Sequence, residues 1–299
     1  MKLLICTQIV DSDDSDLGFF VQWIQEFAQY AEHIEVICLK KGKHALPANV
    51  SVHSLGKEHG AQSTLTYGWR FLKLMRQLRN SYDAVFVHMN PEYVVLGSVW
   101  WKLWRKRIAL WYTHKSVDLK LRIATRLADL IFTASKESFR IETSKVRVMG
   151  HGIDTDFFSP DSSVTRGEWL LSVGRLTKSK RHDLAIREAA EDGRTLHIVG
   201  EGPEEINLTV LADTLHADVR FLGPLSHTAL RDQYRAARLF LHTSETGSLD
   251  KVVLEALACG LPIRTNDPAL KFLEQEAPTY VRAHHSLPNL IRAIMGKLS

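Results

Sequence analysis

The sequence predicts an α/β protein made of two successive Rossmann-like units, each built on a parallel sheet. Three observations carry that prediction. Short apolar runs alternate with longer stretches of helical periodicity, as repeated βα units require. The alternation stops in a segment rich in Gly, Asp, Ser and Pro at 151–167 and then restarts. The chain has 299 residues, 45% of them hydrophobic, which is enough material for two cores of ordinary domain size.

The elements follow in order. Residues 3–6 (Leu-Leu-Ile-Cys) read as a buried strand leading into an acidic loop at 11–16. From Leu17 onward, a 3.6-residue period puts Phe20, Trp23, Ile24 and Phe27 on one helix face. Strands are expected at 34–39, 84–87, 108–112 and 130–134, with a basic amphipathic helix at 65–79. The segment 151–167 is expected to be an interdomain linker. Beyond it, strands are expected at 169–173, 196–199, 219–222 and 239–242. Helices are expected near 181–191, 204–216, 226–236 and 250–259, and a last helical stretch covers 288–297.

Charge and cysteine usage narrow the function classes. Cys6, Cys38 and Cys259 are far apart and show no metal-type spacing, so they read as reduced buried thiols of a cytoplasmic protein. No run approaches the roughly 20 apolar residues that span a bilayer, and no early stretch has the length of a signal peptide. The net charge of +4 is unevenly spread. Twelve Lys or Arg stand between residues 65 and 126 against only Asp83, Glu92 and Asp118.

Chemistry concentrates in the second half. The run Leu171-Ser172-Val173-Gly174-Arg175-Leu176, followed by Lys180, is a strand that ends in glycine with cations in the next loop. Open α/β sheets bind ligands at the carboxyl ends of their strands, and cations beside free helix amides suit a diphosphate. A solvated basic loop would have the same sequence. Val199-Gly200-Glu201-Gly202-Pro203-Glu204 reads as a strand, a tight turn and a helix entered near Pro203. It has no third glycine to complete a dinucleotide fingerprint. In the stretch 242–262, a strand enters the small-residue loop 243–248. A helix then carries Glu255 about two turns along and ends at Cys259-Gly260-Leu261-Pro262. Amides of Gly247, Ser248 and Leu249 suit an anion, and Asp250 opens the helix. A carboxylate can accept both hydroxyl protons of a ribose, and the apolar neighbours of Glu255 favour a partly buried position over a surface one.

These three motifs, in this order, resemble the retaining glycosyltransferases of the GT-B type, specifically glycosyltransferase family 4. The likeness is strong over 170–266. It extends weakly into the first half through His114, the 128–135 strand region and Gly152-Ile153-Asp154 with Phe158 and Pro160. The resemblance implies two Rossmann-like domains whose parallel sheets face across a cleft. These would be an acceptor-side domain at 1–158 and a nucleotide-sugar domain at 159–299. It implies that Arg175 and Lys180 bind the donor diphosphate, that Glu255 binds the ribose and that Gly18 lies near the phosphates. His114 would approach the donor sugar. The donor would be a UDP- or GDP-linked sugar acting as co-substrate, the acceptor a glycan or lipid-linked hydroxyl, and no metal or other cofactor is implied, because cations and helix amides offset leaving-group charge.

The chain departs from that pattern at three places. Gly247 stands where the family commonly has a glutamate that contacts sugar hydroxyls, with Glu245 and Asp250 nearby. His151 replaces the asparagine before Gly-Ile-Asp. The chain ends soon after 288–297, whereas many relatives have a longer tail that crosses back to the first domain. Two other functions fit a chain of this architecture: a nucleotide-sugar epimerase, and a binding protein with reduced catalysis.

Other clusters read differently. The carboxylates at 11–16 lie in one short loop without a distant ligand, so helix capping outweighs a metal site there. His88 ends a strand and suits either the cleft or a satisfied loop position. Trp100, Trp101 and Trp104 with Lys102, Arg105, Lys106 and Arg107, and Trp69, Phe71 and Met75 with Arg70, Lys73, Arg76 and Arg79, fit a surface that touches anionic membrane. That would put the protein at the inner face of the plasma membrane. The alternative is a helix with core tryptophans and solvated cations. No recognition motif accompanies the charge, so nucleic acid is excluded as a partner.

Overall fold

A computed structural model describes residues 1–14, 16–244 and 249–299. The chain splits into two compact units: 1–152 with 287–299, and 153–286. In the first unit the strands are β1 (Lys2–Val10), β2 (His33–Lys41), β3 (Val50–Ser54), β4 (Ala84–His88), β5 (Arg107–Trp111), β6 (Leu130–Thr133) and β7 (Val146–Val148). They form one parallel sheet in the order β3-β2-β1-β4-β5-β6-β7. Its helices are α1 (Phe19–Tyr30), α2 (Thr64–Gln77), α3 (Pro91–Leu103) and α4 (Leu119–Leu127).

The period-2 alternation of strand side chains explains why this sheet is buried on both faces. Leu3 and Ile5 of β1 join one core with Phe86 of β4 and Trp111 of β5. Leu4 and Cys6 join the opposite core with Val85, Val87 and Leu110. Helix starts follow local capping chemistry. Ser63 accepts a hydrogen bond from the Thr66 amide (3.2 Å), Asp118 accepts one from the Leu121 amide (2.7 Å), and Pro91 opens α3, where its missing N–H costs nothing.

The second unit repeats the plan with β8 (Leu170–Val173), β9 (Leu196–Val199), β10 (Val219–Phe221), β11 (Leu239–His242) and β12 (Ile263–Thr265). They form a parallel sheet in the order β10-β9-β8-β11-β12. Its helices are α5 (His182–Asp192), α6 (Glu205–Thr214), α7 (His227–Ala236), α8 (Lys251–Ala258) and α9 (Pro278–His285). Leu170, Leu196, Ile198 and Leu241 point to one core, and Leu171, Val199 and Phe240 to the other.

Three expectations need correction. The segment 151–167 is not a free linker. Ile153 pairs with Ser286, Ile153 and Phe158 are buried in the core of the second unit, and Arg166 donates to the Ala237 and Gly260 carbonyls (2.9 and 2.7 Å). The chain accordingly passes from the first unit to the second between Gly152 and Ile153, a few residues before the expected division after 158. The last helix, α10 (Leu287–Leu298), packs on α1. It buries Leu287, Leu290, Ile291, Ile294, Met295 and Leu298 in the first unit, so the tail does cross back.

Candidate active site

Both sheets reverse strand order once, and at that reversal neighbouring loops diverge and leave a crevice beyond the carboxyl ends of the strands. In the second unit the reversal falls between β8 and β11. The loop after β8 carries Gly174, Arg175 and Lys180. The loop after β11 runs to Asp250, which opens α8. The sequence-predicted cations therefore lie where this fold class binds ligands.

The Gly-Glu-Gly-Pro turn after β9 supports the first of these loops. Gly174 N donates to the Val199 carbonyl (3.0 Å), Leu176 N to the Glu201 carbonyl (2.9 Å) and Glu204 N to the Leu176 carbonyl (3.1 Å). Gly200 has φ of 132°, and a Cβ there would collide with the Gly174 carbonyl. A Cβ at Gly202 would collide with the Leu176 carbonyl. The two glycines let one turn lie flat against the other. Pro203 stands two residues before α6, ahead of the N-cap Glu204 and not at the first helical position.

Side chains then tie the β8 and β11 loops together. Thr243 Oγ1 donates to the Lys180 carbonyl (2.9 Å), and Lys180 Nζ donates to Asp250 Oδ2 (2.5 Å). His242 Nε2 is 3.1 Å from the same oxygen, and its Nδ1 is 2.8 Å from Thr265 Oγ1. With Nε2 donating to the carboxylate, Nδ1 accepts the Thr265 hydroxyl proton. That hydroxyl in turn accepts from the Asp267 amide (3.1 Å). Burial pushes the Asp250 carboxyl up. The hydrogen bond from His242 and the Lys180 charge outweigh it and hold the carboxyl down at about 2.

His182, the first residue of α5, is buried beside Gly174. Its Nδ1 is 3.0 Å from Ser172 Oγ, and its Nε2 has no hydrogen-bond partner among the described residues. Burial lowers it to about 4, so the ring is neutral at pH 7. Arg175 is exposed on the same loop.

Glu255 is the fifth residue of α8, one turn rather than two along the helix, and it is buried. Its Oε2 accepts from Tyr234 Oη (3.4 Å), and its Oε1 faces Lys251 Nζ at 3.5 Å. Burial raises the Glu255 carboxyl and lowers the Lys251 ammonium, and their attraction offsets part of both shifts. Five residues of helix put Glu255 about 7.5 Å along the axis from Asp250. Leu249 is half-buried just before it, while Gly247 and Ser248, with the rest of the loop 245–248, lie outside the described residues.

Gly18 and His114 belong to the first unit. Gly18 caps α1 under the acidic loop, where a side chain would meet the Asp14 and Ser12 carbonyls at 2.6 and 2.9 Å, so packing alone requires glycine. His114 is exposed in the loop after β5, its Nδ1 2.6 Å from Ser116 Oγ and accepting from the Ser116 amide at 3.0 Å. The acidic loop spends its carboxylates on its own turn. Asp14 accepts from the Asp16 and Leu17 amides, and Asp11 from those of Asp13 and Lys43. No metal-holding group of His, Cys, Asp or Glu occurs among the described residues. His88 is buried, stacked on Phe20 at 3.9 Å with its Nδ1 3.3 Å from Thr7 Oγ1, which makes it a core residue.

His242, Thr265, His182, Lys251 and Tyr234 escaped the sequence reading. His242 and His182 carried a faint signal, since one ends the strand β11 and the other opens the helix α5. Nothing local pairs residue 242 with 250 and 180.

The two sheets define the GT-B fold, shared with a crystal structure of Anabaena HepE in complex with UDP. That match has a TM-score of 0.70 and 17% identity, covering 99% of this chain and 95% of that one. The sucrose-phosphate synthase of Thermosynechococcus elongatus is similar at a TM-score of 0.66 and 14% identity, covering 100% and 95%. Residues 155–281 match the family described as glycosyl transferases group 1. A D-inositol 3-phosphate glycosyltransferase of Mycobacterium leprae is 33% identical over 141 residues. That alignment covers 42% of this chain and only 33% of the relative's length.

Proposed function

We propose that the chain is a retaining, metal-independent hexosyltransferase that moves a hexose from a nucleoside-diphosphate sugar to an acceptor hydroxyl. The observation that carries this reading is the placement of Arg175 and Lys180 after β8, at the strand-order reversal of the sheet inside the segment that matches glycosyl transferases group 1. The UDP held by a protein of the same fold supports testing a uridine donor first, with a guanosine donor second.

In this reading Lys180 and Arg175 take the diphosphate, and Glu255, a helix turn beyond Asp250, accepts the ribose hydroxyls. The bond between sugar C1 and the β-phosphate oxygen breaks, and the acceptor oxygen bonds to C1 on the same face. The acceptor proton passes to the leaving phosphate. Arg175 and Lys180 stabilise the charge that develops on that phosphate, the step a metal serves elsewhere. Gly18 and His114 enter through the resemblance alone, His114 as a group that positions the sugar. The acceptor is a glycan or lipid-linked hydroxyl, and the buried thiols of Cys6, Cys38 and Cys259 suit a reducing cytoplasm.

The test is turnover of UDP- and GDP-hexoses by purified protein, with and without EDTA. Arg175→Ala and Lys180→Ala are expected to lower kcat/KM on the order of a hundredfold or more, and Glu255→Ala to act mainly on KM. Unchanged turnover in all three removes the site. Product formed without any acceptor would replace transfer by epimerisation, and UDP-induced stabilisation without turnover would leave a binding protein.

A further inference from the structure

We propose that the α2–α3 face of the first unit docks on an anionic lipid bilayer. On α2, Leu65 and Trp69 are 86% and 64% exposed, and on α3, Val99 and Leu103 are 70% and 69% exposed. With Leu96 and Leu119, these make six of the ten exposed large hydrophobic residues among the described ones. Singly scattered apolar residues need no explanation, but a cluster on neighbouring helices does. Residues 65 and 69 lie one turn apart, as do 96, 99 and 103, so each helix presents one outward stripe. The stripes adjoin: Leu96 Cδ1 is 3.9 Å from where a Gly68 Cβ would sit, and the Arg76 guanidinium lies 4.7 Å from the Trp100 ring centre.

Cations surround these stripes. Lys73, with its Nζ 5.3 Å from the Trp69 ring centre, Arg76, Arg79, Lys102 and Arg105 are all exposed. The three carboxylates between residues 65 and 126 are engaged elsewhere. Asp83 accepts from the Lys2 amide (2.8 Å), Glu92 pairs with Lys120 (2.8 Å), and Asp118 caps α4. α2 carries no acidic residue and α3 only Glu92, which Lys120 pairs, so cations predominate on these two helices. Apolar side chains amid an excess of cations match a surface whose anionic headgroups overlie an acyl boundary. Nucleic acid would use the cations and leave Leu65, Val99 and Leu103 without a role. The helices rest on the surface and do not cross it. They have 14 and 13 residues, and no helix among the described residues is long and apolar enough to cross a membrane.

The experiment is co-sedimentation of the full chain, without nucleotide sugar, on phosphatidylcholine vesicles with or without about 30 mol% phosphatidylglycerol. Partitioning onto the anionic vesicles is expected to exceed that onto neutral ones by at least about tenfold and to fall as salt rises, because screening shortens. Trp69→Ser with Leu103→Ser should cut binding about tenfold or more, and Lys73→Gln with Lys102→Gln about fivefold per charge. Circular dichroism and Tm should stay at wild-type values, since all four side chains are exposed. Equal binding to neutral vesicles overturns the proposal, as does binding unchanged in the Trp69→Ser, Leu103→Ser protein. A dimer in solution that this double substitution splits also overturns it, by assigning the face to a second copy. Donor turnover plays no part in the readout, so this result stands apart from the test of transfer.

Discussion

Lys180 Nζ and Asp250 Oδ2 are 2.5 Å apart, and this contact joins the loops that follow β8 and β11. The carboxyl also takes the His242 hydrogen bond, and both partners are largely buried. Seventy positions separate the two residues, so only the adjacency of their strands brings them together.

This contact makes stability depend on pH in acid. Asp250 is depressed from 3.8 to about 2, so the unfolded chain binds its proton first as pH falls. Its contribution is present above about pH 4 and lost as pH falls through 2. It amounts to about 2 kcal/mol. Urea unfolding from pH 5 down to 2 should show a shallower fall for Asp250→Asn than for wild type, and parallel curves would refute the assignment.

Two histidines act in a different window. His182 and His285, both in the second unit, are buried and lowered to about 4. Between 6.5 and 4 the unfolded state binds protons that the folded state refuses, so stability rises with pH there. Each contributes stability that is complete above 6.5, and on the order of 2 kcal/mol of it is lost by about pH 5. The second unit should unfold at lower urea at pH 5 than at pH 7.5, and His182→Asn with His285→Asn should narrow that gap.

Gly200→Ala should damage the loop after β8 without touching any charged residue. The added methyl meets the Gly174 carbonyl, and the backbone there has φ of 132°. A stability loss of at least about 2 kcal/mol is expected. Weaker UDP binding, measured by calorimetry, should accompany it, whereas Gly193→Ala, at a helix end where a methyl meets nothing, should leave binding unchanged.

The last helix should be essential to the first unit. Ile291 is fully buried against α1, and Ile291→Ala should cost about 2–5 kcal/mol. Near-ultraviolet dichroism of the first unit's tryptophans, Trp23 and Trp111 among them, is the signal to follow during unfolding. No change in midpoint would show that α10 is dispensable.

Much of this protein is legible one residue at a time. Strands buried on both faces announce themselves as short apolar runs, so β1, β2, β4 and β5 and their counterparts in the second unit fall where pattern places them. The edge strands β3 and β7 do not, because they are short and partly exposed. Nor does α3, whose apolar residues run round the whole helix and blur its period.

The candidate site divides in the same way. Arg175, Lys180 and Glu255 were visible because motif chemistry is local: a strand end, a glycine turn, a carboxylate on an apolar helix. Their partners were not. Whether Glu255 faces Lys251 and Tyr234, whether Asp250 holds Lys180, and whether His88 lines a surface or stacks in a core depend on which strands adjoin and which helix covers them. Sequence alone determined the alternation of buried strands and helices and the residue types at the strand ends, because each depends on neighbours within a few positions. The tertiary structure alone decided the pairings, the return of α10 to the first unit and the exposure of Trp69 and Leu103, because burial and contact are set by residues far away along the chain.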